Sequence, residues 1–231
     1  MDDLTQGLAH AIQLLLSGDA ELLEIVALSL RVSFIALLIA MALGIPIGAA
    51  LGLSRTRSHD LITVLLYTGM GLPPVVVGLF VYLMLSRAGP FGSLGWLFTP
   101  TAMIVAQVII AFPLVAGLTM ASTQTIDPQL RLQARALGAT RIQEAWIVLS
   151  EARVGVIAAI VAAFGAIISE VGAVMLVGGN IEGKTRVLTT AIVLNTRTGD
   201  FALALALGII LLALAFVING ALLRLQRVSD A

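Results

Sequence analysis

The stretch that decides how this chain is organised reads DPQLRLQARALGATRIQEAWIVLS and runs from Asp127 to Ser150. It is rich in Arg, Gln and Glu, whereas the sequence on either side is almost continuously apolar. Asp127 is suited to cap a helix that opens at Pro128, because the first helical position does not need an N–H group. The stretch therefore predicts a polar helix inside an otherwise apolar protein.

A second helix is predicted directly after the first. Gly138 predicts the end of the first helix, because glycine accepts the left-handed backbone that a helix end often requires. Thr140 and Gln143 form a capping-box pattern, which is typical of a helix start. Three apolar residues of the first helix form a narrow stripe, namely Leu130, Ala134 and Leu137. A helix–Gly–helix element of this kind indicates a surface that contacts a soluble partner.

Composition places the rest of the chain in a membrane. Hydrophobic residues make up 59% of it and charged residues 11%, with a mean hydropathy of +1.07, far outside the range of soluble domains. Four uncharged runs each exceed the ~20 residues that a spanning helix needs, at 32–54, 61–86, 88–126 and 201–223. We expect one all-α domain, residues 1–231, that forms a polytopic transmembrane bundle stabilised by helix–helix packing.

The apolar segments predict about five membrane spans. They cover Ile25–Leu53, Leu61–Ser86, Pro100–Ser122, Arg153–Val177 and Phe201–Leu223. Within the first span, glycines recur every four residues at 44, 48 and 52, a spacing that favours close approach of another helix.

Three further segments do not span. Residues 1–20 predict an interfacial helix, because the helical apolar spacing of Leu4–Leu16 covers too short a stretch. Residues 123–153 predict a cytoplasmic loop that contains the two polar helices. Residues 178–199 are too polar to cross a membrane, and they predict an external loop with a short helix near Arg186–Asn195.

The distribution of basic residues predicts the orientation of the bundle. Eight of them fall on the side of the polar helices, namely Arg55, Arg57, Arg131, Arg135, Arg141, Arg153, Arg224 and Arg227. Four fall in the opposite loops, namely Arg87, Lys184, Arg186 and Arg197. The positive-inside rule makes the first side cytoplasmic, so the N-terminus is expected outside and the C-terminus inside a plasma (inner) membrane.

The segment ARALGAT resembles the "EAA" loop of binding-protein-dependent ABC transporter permeases. It comprises Ala134, Arg135, Ala136, Leu137, Gly138, Ala139 and Thr140. Leu132 and Gln133 replace the Glu and Ala that usually precede it, and Ser150 stands where Pro is usual. In that family the loop is a coupling helix that docks into a groove on a cytoplasmic ATPase, and the resemblance implies the same role for these residues.

A second resemblance concerns the substrate. ISEVGAVMLVGGNI at Ile168–Ile181, followed by TRVLTT at Thr185–Thr190, looks like the tungstate-type permeases. The resemblance implies an inner-membrane homodimer around one path, two ABC ATPase subunits, an extracytoplasmic substrate-binding protein and alternating access. Molybdate, sulfate or another small solute is the alternative cargo. A membrane enzyme or scaffold that docks a soluble partner through the same loop is a further alternative.

Four residues are candidates for the path or its gate: Pro73, Pro74, Glu170 and Asn180. The proline pair frees backbone carbonyls in the second span, which indicates either a packing kink or a hinge beside the path. Glu170 is predicted within the fourth span, where a carboxylate needs a cavity or a partner. It is either a structural hydrogen-bonding group or part of a cavity wall. Gly178, Gly179 and Asn180 predict a tight turn where that span ends.

Lys184, Arg186 and Arg197 are candidates for contact with an anion or with the binding protein. Hydroxyl groups lie near them in the sequence, at Thr185, Thr189, Thr190 and Thr196. Such a set suits a divalent oxyanion attracted over a Debye length of ~8 Å. The alternative is that the basic residues contact the acidic rim of a docked binding protein.

Catalytic patterns are absent from the sequence. The chain has no Cys, and its two histidines, His10 and His59, lack metal-ligand spacing. It carries no phosphate-binding loop, so the ATPase must be a separate polypeptide. A net charge of zero argues against nucleic-acid binding. We expect no catalytic residue, metal or cofactor in this chain; membrane lipid is its expected surrounding.

Overall fold

The computed structural model describes residues 12–13, 18, 20–53 and 59–228. These residues confirm the all-α prediction, since they form helices and no strand. The interfacial helix predicted for residues 1–20 lies almost entirely outside the described residues, and so does His10.

Ten helices follow one another in the described chain. They are α1 (Ala20–Leu53), α2 (His59–Met70), α3 (Pro74–Leu85), α4 (Pro100–Gln124), α5 (Pro128–Ala136), α6 (Arg141–Glu151), α7 (Arg153–Ile168), α8 (Gly172–Gly178), α9 (Leu188–Thr198) and α10 (Phe201–Val228). A short 3₁₀ turn, Gly92–Leu94, lies before α4. Three of the described helices are long and apolar enough to cross a membrane, and the number rises to five if each of two bent helix pairs is one span.

The described chain divides into two compact units. One contains residues up to 36, 73–107 and 167–220, and the other contains 37–72, 108–166 and 221 onward. In the first unit, α1, α9 and α10 share an apolar core made by Leu22, Ile25, Leu188, Ala191, Leu207 and Ile210. In the second, Leu66 of α2 packs with Ala116 and Met120 of α4.

The glycine spacing of the first span has the packing role that the sequence predicted. A side-chain carbon on Gly44 would collide with Val115 of α4, and one on Gly52 would collide with Thr123 of the same helix. Gly48 is similarly close to Ala116. The small residues therefore let α1 and α4 approach backbone to backbone.

The second predicted span contains a full break between two helices and not only a kink in one helix. α2 ends at Met70 and α3 begins at Pro74, so two separate helices occupy the predicted segment. Proline explains the restart, because Pro74 lacks the N–H that a continuous helix needs and fits the first position of a new one.

The fourth predicted span, about Arg153–Val177, does not form one continuous helix. α7 ends at Ile168, and α8 starts at Gly172 after a break at residues 169–171. The 16 residues of α7 rise only ~24 Å at ~1.5 Å per residue, less than the ~30 Å of a bilayer core. Glu170 therefore lies in the break and not within a helix. Its side chain bonds to the backbone N–H of Ala173, a local bond that competes with helix continuation.

The predicted loop helix is also shifted. It covers Leu188–Thr198 instead of Arg186–Asn195. The hydroxyl of Thr190 and the backbone of Val187 bond to each other at the start of α9, which fixes its first turn. Gly199, with φ of +84°, ends it.

Candidate functional site

The two polar helices form as the sequence predicted. The Asp127 carboxylate accepts the N–H of Gln129 at 2.8 Å and caps α5. At the start of α6, the Thr140 side chain accepts the N–H of Gln143 at 3.3 Å. The Gln143 side chain accepts the N–H of Thr140 at 2.8 Å, which completes the capping box. We call α5, α6 and the turn between them the coupling element.

Gly138 makes the turn between these helices. Its φ is +84°, and a side-chain carbon added there would meet no atom within 4 Å. The N–H groups of Gly138 and Ala139 donate to the carbonyls of Arg135 and Ala134, each at 3.0 Å, which closes the end of α5. Glycine is therefore required here by the left-handed backbone and not by a lack of space for a side chain.

A buried carboxylate joins the two helices. Glu144 of α6 is 3% exposed. The Arg131 Nε donates to its Oε1 at 2.7 Å, and the Arg135 Nε donates to its Oε2 at 2.8 Å. The Nη2 of Arg135 adds a bond to Oε1 at 3.0 Å, while the Nη2 of Arg131 donates to the Leu53 carbonyl at 2.7 Å. We call these four groups the Glu144 clamp.

The clamp explains the charge state of its carboxylate. The hydrogen bond from Arg135 lowers the pKa of Glu144 below its ordinary value. Burial opposes this shift, and the hydrogen bond from Arg131 and the positive charges of both arginines add to it. Glu144 raises the pKa of Arg135 in turn. The carboxylate is therefore ionised at neutral pH, and it offsets two positive charges that lie four residues apart on one helix.

Sequence reasoning missed Glu144, although one signal points to it. Arg131 and Arg135 are four residues apart, so they lie on the same face of α5. Two like charges at that spacing repel each other unless an acidic group lies between them. Glu144 follows the capped start of α6 and is the acidic residue nearest to the turn, so it was the natural partner.

The outer side of the coupling element is apolar. Leu137, Ile142 and Trp146 are 89%, 84% and 74% exposed. They line a shallow open groove with Gly138, Ala139, Gln143 and Ile147. We call Leu137, Ile142 and Trp146 the coupling patch. The expected stripe of Leu130, Ala134 and Leu137 does not form one face, because Ala134 is buried while Leu137 projects outward after the helix has ended.

Of the residues in the ARALGAT segment, one faces inward. Ala134 is buried, Ala139 is half-buried, and the remaining five are exposed. The structure thus brings the predicted coupling residues together at the turn, and it adds Ile142 and Trp146, which the resemblance did not include.

Glu170 lies among polar groups of the other unit. It is 8% exposed and accepts the N–H of Ala173 at 2.8 Å, while the Thr189 hydroxyl donates to its carbonyl at 2.8 Å. Its side chain lines a cavity of about 10 Å³ with Ser29, Ser33 and Gln107. The Gln107 amide donates to the Ile167 carbonyl at 3.1 Å, and its oxygen has no partner among the described residues. A cavity of this size holds about one water molecule.

The other path candidates do not join Glu170 around that cavity. Pro73 and Pro74 mark the break between α2 and α3. Asn180 belongs to the predicted turn after α8, where Gly179 and Asn180 have φ of +74° and +51°. These residues therefore shape the backbone.

The basic residues near α9 are in two different situations. Arg186 donates to Glu21 at 3.2 Å and to Glu182 at 3.3 Å, and its side chain is 16% exposed. Lys184 and Arg197 are exposed. The nearby threonine hydroxyls do not surround an anion, because those of Thr185, Thr189, Thr190 and Thr196 all bond to the protein's own backbone.

Comparison with known proteins assigns the family. The pattern of the family described as "Binding-protein-dependent transport system inner membrane component" matches residues 44–229. The chain belongs to this family. It is the permease subunit of an ABC importer, an inner-membrane protein.

Two relatives and one solved structure illustrate the similarity. A tungstate uptake system permease protein of Peptoclostridium acidaminophilum is 41% identical over 98% of this chain and 99% of its own length. A probable anion ABC transporter permease protein of Haloferax volcanii is 45% identical over 86% of this chain and 88% of its own. A bacterial alginate ABC transporter in complex with a periplasmic protein has a TM-score of 0.78 at 20% identity, covering 94% and 83% of the two chains, and so shares the fold with the permease.

Proposed function

We propose that this permease imports an oxyanion, with tungstate as the preferred ion. Support comes from the full-length similarity to a tungstate uptake permease at 41% identity. Molybdate and sulfate are the alternatives, because they are tetrahedral oxyanions of the same charge. A separate substrate-binding protein selects the ion in this proposal, so the permease needs no tight site of its own.

A homodimer of this permease works with two cytoplasmic ATPase subunits in the proposed mechanism. The observation that supports the docking role is the coupling patch, in which three large apolar side chains are each about three-quarters exposed or more. Apolar side chains at that exposure on a capped, polar element are typical of an interface. Closure of the ATPase pair moves the two coupling elements, and the attached spans reopen the path outward.

Charge substitution in the patch tests the docking. In Ile142→Asp and Trp146→Asp variants, an ATPase interface would have to bury an unpaired carboxylate, which costs several kcal/mol. We expect the ATPase to be lost on purification of the complex and uptake to fall to background. Gln129→Asp, an exposed polar change on the same element, is the matched control. ATPase retention in both patch variants would exclude the docking role.

Ion selectivity is tested on the partner binding protein. We expect calorimetry to give tungstate a dissociation constant at least about tenfold below that of sulfate, equivalent to ~1.4 kcal/mol. Uptake into proteoliposomes containing the permease should follow the same order. A binding protein that prefers sulfate would refute the tungstate assignment, but it would not affect the assignment of this chain to an ABC importer.

A further inference from the structure

The Glu144 clamp connects three helices through one carboxylate. Arg131 and Arg135 belong to α5, Glu144 belongs to α6, and Leu53 is the last residue of α1. Carbonyls in the last turn of a helix have no partner within the helix. The Nη2 of Arg131 is such a partner for the Leu53 carbonyl, while the Nε of the same side chain donates to Glu144. One guanidinium group therefore bridges the end of the first long helix and the coupling element.

Without the clamp, little else fixes the angle between α5 and α6. Their covalent connection is the turn at Gly138, a residue with wide conformational freedom and open space around it. The surfaces that they bury are small, since Ala134 in α5 and Glu144 and Val148 in α6 are their buried residues. A force applied at the patch would bend such a turn.

We infer that Glu144 is a positioning residue that makes α5, α6 and the end of α1 move as one body. Movement of a docked ATPase then reaches the first long helix and is not absorbed at Gly138. This inference rests on the proposed docking role of the patch. It assigns the transmission of movement to the side chains of Arg131, Arg135 and Glu144, which are not part of the coupling patch.

Geometry distinguishes the members of the clamp. Arg131→Lys keeps the charge, but it replaces the planar fork, whose Nε binds Glu144 and whose Nη2 binds the Leu53 carbonyl, with a single nitrogen. Glu144→Gln keeps the shape and removes the charge that two guanidinium groups share. Arg141→Lys is the matched control, because Arg141 is an exposed arginine of the same element.

The decisive readout is the number of ATP molecules hydrolysed per ion transported by the whole importer in proteoliposomes. For Arg131→Lys and Glu144→Gln we expect this number to rise at least about fivefold, the lower end of typical coupling effects, while Arg141→Lys leaves it unchanged. A purely structural role would lower the amount of active importer and leave the number unchanged. An unchanged number in both clamp variants would overturn the inference.

A distance measurement covers the case in which a clamp variant loses its ATPase. The chain has no native cysteine, so spin labels can be placed at Gln129→Cys and Glu151→Cys, one on each helix. Diluting the labelled permease with an excess of unlabelled permease before assembly restricts the measured distance to α5 and α6 of one chain. We expect a narrow distribution in the importer with Glu144 and a broad one with Glu144→Gln. Equal widths would overturn the inference. The Ile142→Asp variant separates the two proposals, because retained ATPase there refutes docking whatever the clamp variants do.

Discussion

Glu144 and Glu170 are both buried carboxylates in an apolar protein, but different groups hold them. Two guanidinium groups hold Glu144, and they connect it to two other helices. A backbone N–H holds Glu170, and the polar side chains around it are uncharged. The first arrangement joins α5 and α6 to the end of α1, whereas the second holds the backbone just before α8. We therefore propose a transmitting role for Glu144 and a local structural role for Glu170.

The largest expected effect comes from two glycines with equal geometry. Gly138 in the coupling element and Gly199 after α9 both have φ of +84° and no atom within 4 Å of an added side-chain carbon. Valine strains the backbone equally at both positions. We expect Gly138→Val to lower uptake at least about tenfold, equivalent to ~1.4 kcal/mol, and Gly199→Val to keep most of it. Membrane insertion, checked by fractionation, should be the same for both. Equal losses of uptake in the two variants would show that the coupling element is no more important for transport than the turn after α9.

Acid should loosen the coupling element at a pH set by Glu144. Its pKa is lowered in the folded protein, so its stabilising contribution is complete above the ordinary value of about 4.5 and is lost as pH falls through the lowered value. Trp146 reports this change by fluorescence in a Trp96→Phe permease, which has no other tryptophan. We expect a transition below pH ~4.5 that disappears in Glu144→Gln. If the transition persisted in Glu144→Gln, a titrating group other than Glu144 would be its cause.

Much of the coupling element could be predicted from the sequence, because its signals are local. Asp127, Gly138 and the Thr140–Gln143 pair each act within four residues. The break at Glu170 was missed because glutamate ordinarily favours a helix. Here its side chain instead accepts the N–H of Ala173, and its carbonyl accepts a bond from Thr189, 19 residues away. The clamp depends on contacts across 13 and 78 residues. Apolar composition alone therefore extended the fourth span through this break.

A smaller effect is expected at Glu170. Glu170→Gln keeps an oxygen that accepts the Ala173 N–H, so we expect little change in thermal stability. Glu170→Ala removes that acceptor and leaves the N–H of Ala173 unpaired, at a cost of ~1 kcal/mol. Thermal unfolding in detergent should then occur about 2–4 °C lower. If Glu170→Gln lowered the unfolding temperature as much as Glu170→Ala, the charge of Glu170 would contribute to stability. The contrast between an uncharged role at Glu170 and a charged one at Glu144 would then be lost.

The smallest effect is expected at the basic residues before α9. The partners of Arg186, Glu21 and Glu182, are largely exposed, and such ion pairs contribute ~0–1 kcal/mol. In a Lys184→Gln, Arg186→Gln double variant we expect weaker binding-protein docking but normal maximal uptake once that protein is saturating. A drop in maximal uptake that added salt reproduces would instead place these residues on the path of the ion.

Cross-linking from the coupling patch tests the central claim most directly. A photoreactive residue is placed at Ile142 in the working importer, with Leu83, an exposed apolar residue of α3, as the control position. We predict a covalent product with the ATPase from Ile142 and none from Leu83. An importer that transports normally while Ile142 forms no product with the ATPase would contradict the account.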